Sequence, residues 1–169
     1  MTRFKNTFLL FTLLLVSACG YQLRGSLDLP EGLKSIYLQD ASGQLRNAFN
    51  RALRSTDVEL AARSEDAGIV VIVSREKMNR RVVSVSSTGR ANEFELYYTL
   101  DFILLDAEGE KLSETQPVEI TRAYFIDQEK GDILGKNNEE QIIRDEMYRQ
   151  AIQTIITRSR VALEKNVIK

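Results

Sequence analysis

Histidine and tryptophan are absent from this 169-residue chain, and cysteine occurs once, at Cys19. The missing histidine removes the side chain that most often acts as a general base or a metal ligand. A single cysteine cannot form a disulfide within the chain, and its position, described below, favours a role other than that of a thiol nucleophile. Composition therefore argues against most hydrolases, and we expect no metal and no cofactor. Enzymes that use carboxylates alone are not excluded.

The chain also lacks an excess of charge of either sign. It holds 23 Lys and Arg against 24 Asp and Glu, for a formal charge of −1. Removal of an N-terminal segment containing Arg3 and Lys5 takes that charge to −3. A nucleic-acid-binding protein typically carries a basic surplus, so we predict no nucleic-acid partner.

No apolar run is long enough to span a bilayer. The longest apolar segment near the N-terminus, Phe8–Val16, has nine residues, whereas a membrane-spanning helix needs about 20. Two cations, Arg3 and Lys5, precede it, and small residues follow it before Cys19. This order of charged start, short apolar core and small residues is typical of a signal peptide.

The sequence Val-Ser-Ala-Cys that ends this segment is similar to a bacterial lipobox. We therefore predict that residues 1–18 form a lipoprotein signal peptide and that Cys19 carries acyl chains, which anchor the protein to a membrane. The residue after the cysteine is Gly20 and not Asp. By resemblance to the sorting of Gram-negative lipoproteins, this implies the outer membrane, on its periplasmic side. The alternatives are a secretory signal followed by a free thiol, and an uncleaved anchor.

Residues 19–169 are 151 residues long and are expected to form a single domain. The chain shows no internal repeat and no low-complexity segment. Periodicity predicts the following order of elements: a strand at Leu33–Gln39, a helix capped by Ser42 and ending near Ser55, a brief extended piece at Val58–Leu60, strands at Ile69–Val85, Phe94–Leu104 and Leu112–Asp127, and a long helix from Asn138 to about Glu164.

The strand Phe94–Leu104 has the clearest pattern, with apolar residues at every second position. The two helices each carry one apolar stripe, which is wide enough on the second helix to cover a sheet. These features predict an α+β two-layer sandwich, in which a four-stranded, mostly antiparallel sheet has two α-helices packed on one face.

Three stretches resemble the LptE (RlpB) family, the lipoprotein subunit of the outer-membrane lipopolysaccharide translocon. The first is Cys19–Gly25, and the second is the Gly-x-x-x-Glu-aromatic pattern within Gly89–Thr99. The third and most specific is Arg122–Tyr148, with paired aromatics, Leu-Gly-Lys-Asn-Asn-Glu-Glu and then Asp-Glu-Met-Tyr. Each motif alone is weak, but their order and spacing match across most of residues 19–169.

The resemblance implies the same fold, an LptD-like outer-membrane β-barrel as partner, and contact with lipopolysaccharide. Its motif places a lipopolysaccharide-contacting lysine at Lys136. A second family contact, an arginine, falls at Ser87 in this chain, and Arg90 stands three residues later in the same turn. We therefore predict Lys136 and Arg90 as the lipopolysaccharide-binding residues.

Other polar residues have an open interpretation. Arg75, Lys77, Arg80 and Arg81 join Arg90 along the first hairpin, where basic side chains suit phosphate-bearing sugars but are more often simply solvated. Arg122 interrupts an apolar strand face, so it either pairs internally with a carboxylate or faces a partner. Tyr97 lies on a polar strand face and is a candidate partner contact. The pair Glu139-Glu140 is expected to occupy the first turn of the long helix, without a catalytic role.

The leading functional prediction is a non-enzymatic, lipid-anchored subunit that plugs and helps to assemble a lipopolysaccharide-exporting barrel. The alternative is a lipid-anchored accessory subunit of a periplasmic lipid transport system without a barrel partner. A carboxylate-dependent hydrolase is a third and weaker hypothesis.

Overall fold

The structure is a computed structural model that describes residues 29, 33–54, 56–125 and 133–167, with backbone alone for 133–138 and 166–167. The signal peptide predicted at residues 1–18 and the lipidation site Cys19 lie outside the described residues. So does the segment 126–132, which precedes the long helix.

The described chain contains five strands and two α-helices. In chain order these are β1 (Ser35–Gln39), α1 (Gly43–Leu53), β2 (Glu59–Leu60), a short 3₁₀ turn (Ser64–Asp66), β3 (Ile69–Val85), β4 (Ala91–Asp106), β5 (Gln116–Phe125) and α2 (Ile133–Val167).

The strands form one sheet in the order β2-β1-β3-β4-β5. β1 is parallel to β3 across the helix α1, while β3, β4 and β5 form an antiparallel meander. The predicted α+β class is confirmed, but the sheet has five strands and not four. The extra strand β2 has two residues, which pair in parallel with Ser35 and Ile36 at the sheet edge. Two residues are too few to show the alternation by which strands are recognised.

The core lies between the helices and one face of β4. All six alternate apolar residues predicted for that face are buried, namely Phe94, Leu96, Tyr98, Leu100, Phe102 and Leu104. Two adjacent rows of α2 pack against them, consisting of Met147, Ala151, Ile155 and Ala162 and of Tyr148, Ile152, Ile156 and Ser159. From α1 the buried residues are Leu45, Ala48, Phe49 and Leu53. Within the described ranges, no helix covers the opposite face of the sheet.

A bulge in β3 joins α1 to this core. The β3–β4 register shifts between Ser74 and Lys77, and Arg75 has a positive φ of 51°. A bulge re-aims the side chains beside it, and here Glu76 reaches the N-terminus of α1. Its Oε2 accepts from the Ser42 backbone N–H at 2.8 Å, and its Oε1 accepts from the Ser42 and Tyr98 hydroxyls at 2.7 and 2.9 Å. A carboxylate is favourable at that helix end because the exposed N–H groups carry partial positive charge.

The long helix begins earlier than predicted. α2 starts at Ile133 and not at Asn138, and it runs for 35 residues, about 52 Å. Asn137 and Asn138 resemble capping residues in sequence, but an Asn inside a helix costs only about 0.5 kcal/mol or so. Extensive packing further along α2 easily outweighs that cost. Lys136, expected in a loop, therefore lies in the first turn of the helix.

The last strand is shorter than predicted at its start. β5 begins at Gln116, and upstream of it only an isolated bridge joins Lys111 to Leu105. Its inward residues Val118, Ile120 and Tyr124 are buried as predicted. The predicted end of the strand, Ile126–Asp127, lies outside the described residues.

We predict that Glu76→Ala lowers the free energy of unfolding by about 2 to 3 kcal/mol, because it leaves partly buried donors of Ser42 and Tyr98 without their acceptor. Urea unfolding followed by circular dichroism measures the change. The matched control is Glu65→Ala, whose carboxylate is 77% exposed and whose removal is expected to change stability by less than about 0.5 kcal/mol. Equal unfolding midpoints for the two variants would contradict the bracing role of Glu76.

Candidate functional site at the hairpin end of the sheet

The β3–β4 hairpin forms one end of the sheet. Its pairing continues to Val85 and Ala91, and the described part of β5 reaches Phe125, opposite Glu93. The turn is closed by a hydrogen bond from the Ser86 N–H to the Arg90 carbonyl at 2.7 Å. This end of the sheet, residues 84–92, is called the hairpin tip below.

Arg90 is exposed at the hairpin tip, in the turn that also contains Ser87. Gly89, with a φ of 77°, supplies the left-handed backbone that this turn needs just before Arg90. Among the described residues, no carboxylate lies within ion-pair distance of the Arg90 guanidinium. Within the described part of the chain, the Arg90 guanidinium therefore has no acidic partner.

Three of the other predicted hairpin cations are already neutralised. Arg75 pairs with Asp101. Arg80 pairs with Glu140 at 3.0 Å, and Arg81 pairs with Glu95 at 2.5 Å. The basic cluster that the sequence suggests is therefore, at these positions, a set of ion pairs along the strands.

The direction of α2 along β5 shows at which end of the domain the backbone of Lys136 lies. The Arg158 guanidinium donates to the Pro117 carbonyl at 2.8 Å, and eighteen residues earlier Glu140 accepts from the Tyr124 hydroxyl. The helix therefore points its N-terminus towards the hairpin tip. Lys136 precedes Glu140 by four residues, about 6 Å along the helix axis. This places the backbone of Lys136 at the same end of the domain as Arg90, and its side chain is not described.

Glu140 ties this end of α2 to the hairpin. Its Oε1 accepts from Arg144 Nε and Nη2 at 2.9 and 2.6 Å, and its Oε2 accepts from Arg80 Nη1 at 3.0 Å and from the Tyr124 hydroxyl. The Arg80 guanidinium also lies 4.8 Å from the centre of the Phe94 ring, which stacks on Tyr124 at 5.6 Å. One carboxylate thus holds two strands and two turns of helix together.

Partial burial opposes the negative charge of Glu140, but hydrogen bonds from Tyr124, Arg144 and Arg80 outweigh it and lower the pKa of this carboxyl. The prediction that Glu139-Glu140 are first-turn residues is wrong, because α2 begins at Ile133. The sequence does contain one signal of the cluster that Glu140 forms. Glu140 and Arg144 stand four residues apart, the spacing of an ion pair on one helix face.

The structure also shows the surroundings of Arg122 and Tyr97, the two other residues considered as partner contacts. Arg122 is exposed and donates to the Gln150 amide oxygen at 2.5 Å and to the Thr121 carbonyl at 2.9 Å. It thereby joins β5 to α2 through an amide, not through the carboxylate that was considered. Tyr97 is half-buried on the face of the sheet opposite the helices.

In the ranges that the structure describes, no helix is long and apolar enough to cross a bilayer. The same ranges hold no group of three His, Cys, Asp or Glu residues arranged for a metal ion.

Relatives share the sequence and the fold. Residues 33–159 match the LptE family model, described as "Lipopolysaccharide-assembly". A protein from Pectobacterium atrosepticum named LPS-assembly lipoprotein LptE is 31% identical over 150 residues, which are 85% of this chain and 77% of that protein. The solution NMR structure of an uncharacterized lipoprotein B from Nitrosomonas europaea is 28% identical, with a TM-score of 0.59, and covers 81% of this chain and 88% of its own. The crystal structure of rare lipoprotein B from Shewanella oneidensis has the same TM-score at 25% identity. The match covers 80% of this chain and 100% of that one.

The described chain is a small α+β domain with both helices on one face of the sheet and an exposed arginine at one end. The family match over most of the chain identifies the family. The chain belongs to the LptE family of lipopolysaccharide-assembly lipoproteins. This membership confirms the predicted family, its place in assembly at the outer membrane, and the prediction that the protein is not an enzyme.

We predict that Glu140→Gln lowers the free energy of unfolding at pH 7 by about 1 to 2 kcal/mol, because it weakens charge-assisted hydrogen bonds to two arginines. The folded-state pKa of Glu140 is lowered, so its carboxylate stabilises the fold above its ordinary pKa of 4.5. That contribution is lost as the pH falls through the lowered value. The difference between wild type and Glu140→Gln is therefore expected to shrink between pH 7 and pH 3 in urea titrations.

The control is Glu139→Gln, a substitution of the exposed neighbour, for which we expect little change at either pH. A wild-type to Glu140→Gln difference that is the same at pH 3 and pH 7 would show that the charge of Glu140 does not carry the effect.

Proposed function

We propose that this protein is a lipid-anchored subunit that binds lipopolysaccharide through Lys136 and Arg90, and that it plugs and helps to assemble an LptD-like β-barrel in the outer membrane. In this proposal residues 1–18 are removed, Cys19 carries the lipid, and residues 19–169 form one domain on the periplasmic side. The observation that supports it most is the available guanidinium of Arg90 at the hairpin tip, at the same end of the domain as the first turn of α2.

The chemistry of these two cations suits lipid A phosphates. A guanidinium offers parallel N–H donors to phosphate oxygens, and a lysine adds a mobile point charge. Lys136 stands in the first turn of α2, where a cation is unfavourable because the helix N-terminus is itself partly positive. A residue that costs stability at its position is more easily explained by a ligand than by folding. Two cations together would compete with divalent ions that bridge lipid A phosphates and would loosen lipopolysaccharide aggregates.

The proportions of the domain support a barrel lumen as its location. β4 has 16 residues and α2 has 35, so each is about 50 Å long. The two elements run side by side and make an elongated, rigid body. Large outer-membrane barrels enclose lumens wide enough to hold a plug.

Membrane attachment is supported by the sequence pattern around Cys19. One acyl chain gives only marginal membrane binding, and additional chains on the same cysteine make it stable. A lipid anchor also keeps the domain close to a barrel that is embedded in the same membrane.

We predict that Lys136→Glu combined with Arg90→Glu raises the Kd for purified lipopolysaccharide at least tenfold, because two attractive charges become repulsive towards phosphate. Isothermal titration calorimetry with the full mature lipoprotein in detergent measures this change. The matched control is Lys34→Glu with Lys111→Glu, an equal change of charge at the opposite end of the sheet, next to Ser35 and Leu105. Unchanged affinity in the first variant, or equal loss in both, would contradict a phosphate site at Lys136 and Arg90.

We further predict that the protein, extracted from outer membranes with mild detergent, co-purifies with a large β-barrel protein in a one-to-one ratio. Mass spectrometry of the same sample is expected to show a chain that begins at Cys19 and carries acyl groups. Lipids without a barrel would favour the alternative, an accessory subunit of a periplasmic lipid transport system. An unmodified Cys19 would remove the anchor from the proposal.

A further inference from the structure

A pocket of about 460 Å³ lies on the face of the sheet that the described helices leave uncovered. It is lined by Asn79, Arg81, Glu95, Tyr97 and Thr121. This volume falls within the range of about 300 to 1,000 Å³ that is usual for sites of small ligands. The pocket lies away from the hairpin tip and is not part of the site proposed for phosphates.

The pocket is built by strand register. Asn79, Tyr97 and Thr121 form one row across β3, β4 and β5. Arg81, Glu95 and Ala123 form the next row. The single methyl group of Ala123 leaves space beside the longer side chains of its neighbours. Because three paired strands carry these residues, their relative positions are fixed by backbone hydrogen bonds.

The charges of the pocket cancel. Arg81 Nε and Nη2 donate to Glu95 Oε1 at 2.6 and 2.5 Å, and Arg81 is the sole cation among the lining residues. An anionic ligand would have to compete with Glu95 for this guanidinium. A neutral ligand with many hydroxyl groups meets no such competition.

The remaining groups are donors and acceptors for hydroxyls. Asn79 offers both an amide N–H₂ and a carbonyl oxygen, Thr121 offers a hydroxyl, and Glu95 has a second carboxylate oxygen. The Tyr97 hydroxyl interacts with the Glu119 carboxylate beside the pocket and can still accept a hydrogen bond. The Tyr97 ring adds an apolar surface with a negative π face, on which the polarised C–H groups of a sugar ring pack favourably. Hydroxyl-binding groups around an aromatic ring suit a pyranose.

We propose that this pocket binds a neutral pyranose unit of an oligosaccharide. The proposal rests on the function proposed above and identifies the ligand as the sugar part of lipopolysaccharide beyond its phosphorylated end. Tyr97 is seven residues along the chain from Arg90, about 23 Å away. A single extended glycolipid therefore reaches both places, with its phosphates at Lys136 and Arg90 and its neutral sugars on the sheet face.

The test uses the full mature lipoprotein in detergent and two probes. One is a core oligosaccharide freed of acyl chains and phosphate, and the other is lipid A, which lacks the core sugars. We expect Tyr97→Ala to weaken oligosaccharide binding at least tenfold in calorimetry and to leave lipid A binding within twofold. The control is Tyr37→Ala, which removes a half-buried tyrosine from β1, outside the pocket; it is expected to change neither affinity.

A second variant distinguishes loss of the pocket from misfolding of the protein. Thr121→Tyr fills the pocket from an exposed position on β5 and is expected to weaken oligosaccharide binding to the same extent, with an unchanged circular dichroism spectrum. Wild-type protein that does not bind the oligosaccharide, or equal binding by wild type and both pocket variants, would overturn the proposal. Loss of the co-purified barrel in Tyr97→Ala without any sugar binding would assign the face to a protein partner and overturn it as well.

The same two probes separate this proposal from the function on which it rests. Lys136→Glu with Arg90→Glu is expected to weaken lipid A binding and to leave oligosaccharide binding within twofold. Unchanged lipid A binding in that double variant would refute the phosphate site alone. Unchanged oligosaccharide binding in Tyr97→Ala would refute the sugar pocket alone.

Discussion

Burial of one face of β4 under two helices is the constraint on which the rest of the structure depends. Six alternate apolar side chains of that strand are almost completely buried, at roughly 1.5 to 3 kcal/mol for each large one. Side chains of a strand alternate between faces, so this burial directs the intervening residues to the other side of the sheet. The helix-covered face is therefore committed to folding. The uncovered face and the hairpin tip are the surfaces to which the proposals above assign recognition.

Two glutamates complete this arrangement, one for each helix. Glu76 accepts from the N-terminus of α1 and from Tyr98, and Glu140 accepts from Tyr124 and two arginines near the start of α2. Both interactions join residues that are far apart in sequence, and both lie where apolar packing gives way to solvent. Apolar contacts hold the layers together but allow sliding, whereas directed hydrogen bonds fix the position of each helix along the sheet. The orientation of the first turn of α2 relative to the hairpin tip depends on Glu140.

How well the sequence predicts each element depends on whether residues close in sequence or far apart in sequence determine it. The alternation in β4 and the stripes of α1 and α2 are local patterns driven by burial, and their predictions are confirmed. The extended piece Val58–Leu60 was predicted, but its membership of the sheet as β2 was missed, because two residues that pair with β1 have no pattern of their own. The start of α2 was misplaced because Asn137 and Asn138 resemble caps, while helix continuation is decided by packing elsewhere. Lys136 and Arg90 were named through family resemblance, and their functional roles remain predictions.

Ion pairs within the sheet neutralise two arginines of the first hairpin, Arg75 and Arg81. Within a sheet, each residue has a neighbour directly opposite on the next strand, and an acid in that position neutralises a cation. Arg81 opposite Glu95 is such a pair, and Asp101 serves Arg75 from the adjoining strand in a similar way. A turn residue such as Arg90 has no opposite strand position, so no cross-strand acid is available to it.

The sheet thus has two kinds of surface, a face of paired strands and an end formed by a turn. In the proposals above, the paired face binds hydroxyl-rich groups and the unpaired end binds phosphate. A ligand with phosphates at one end and neutral sugars at the other matches that order along the strands, and reversing the ligand would bring phosphate against Glu95.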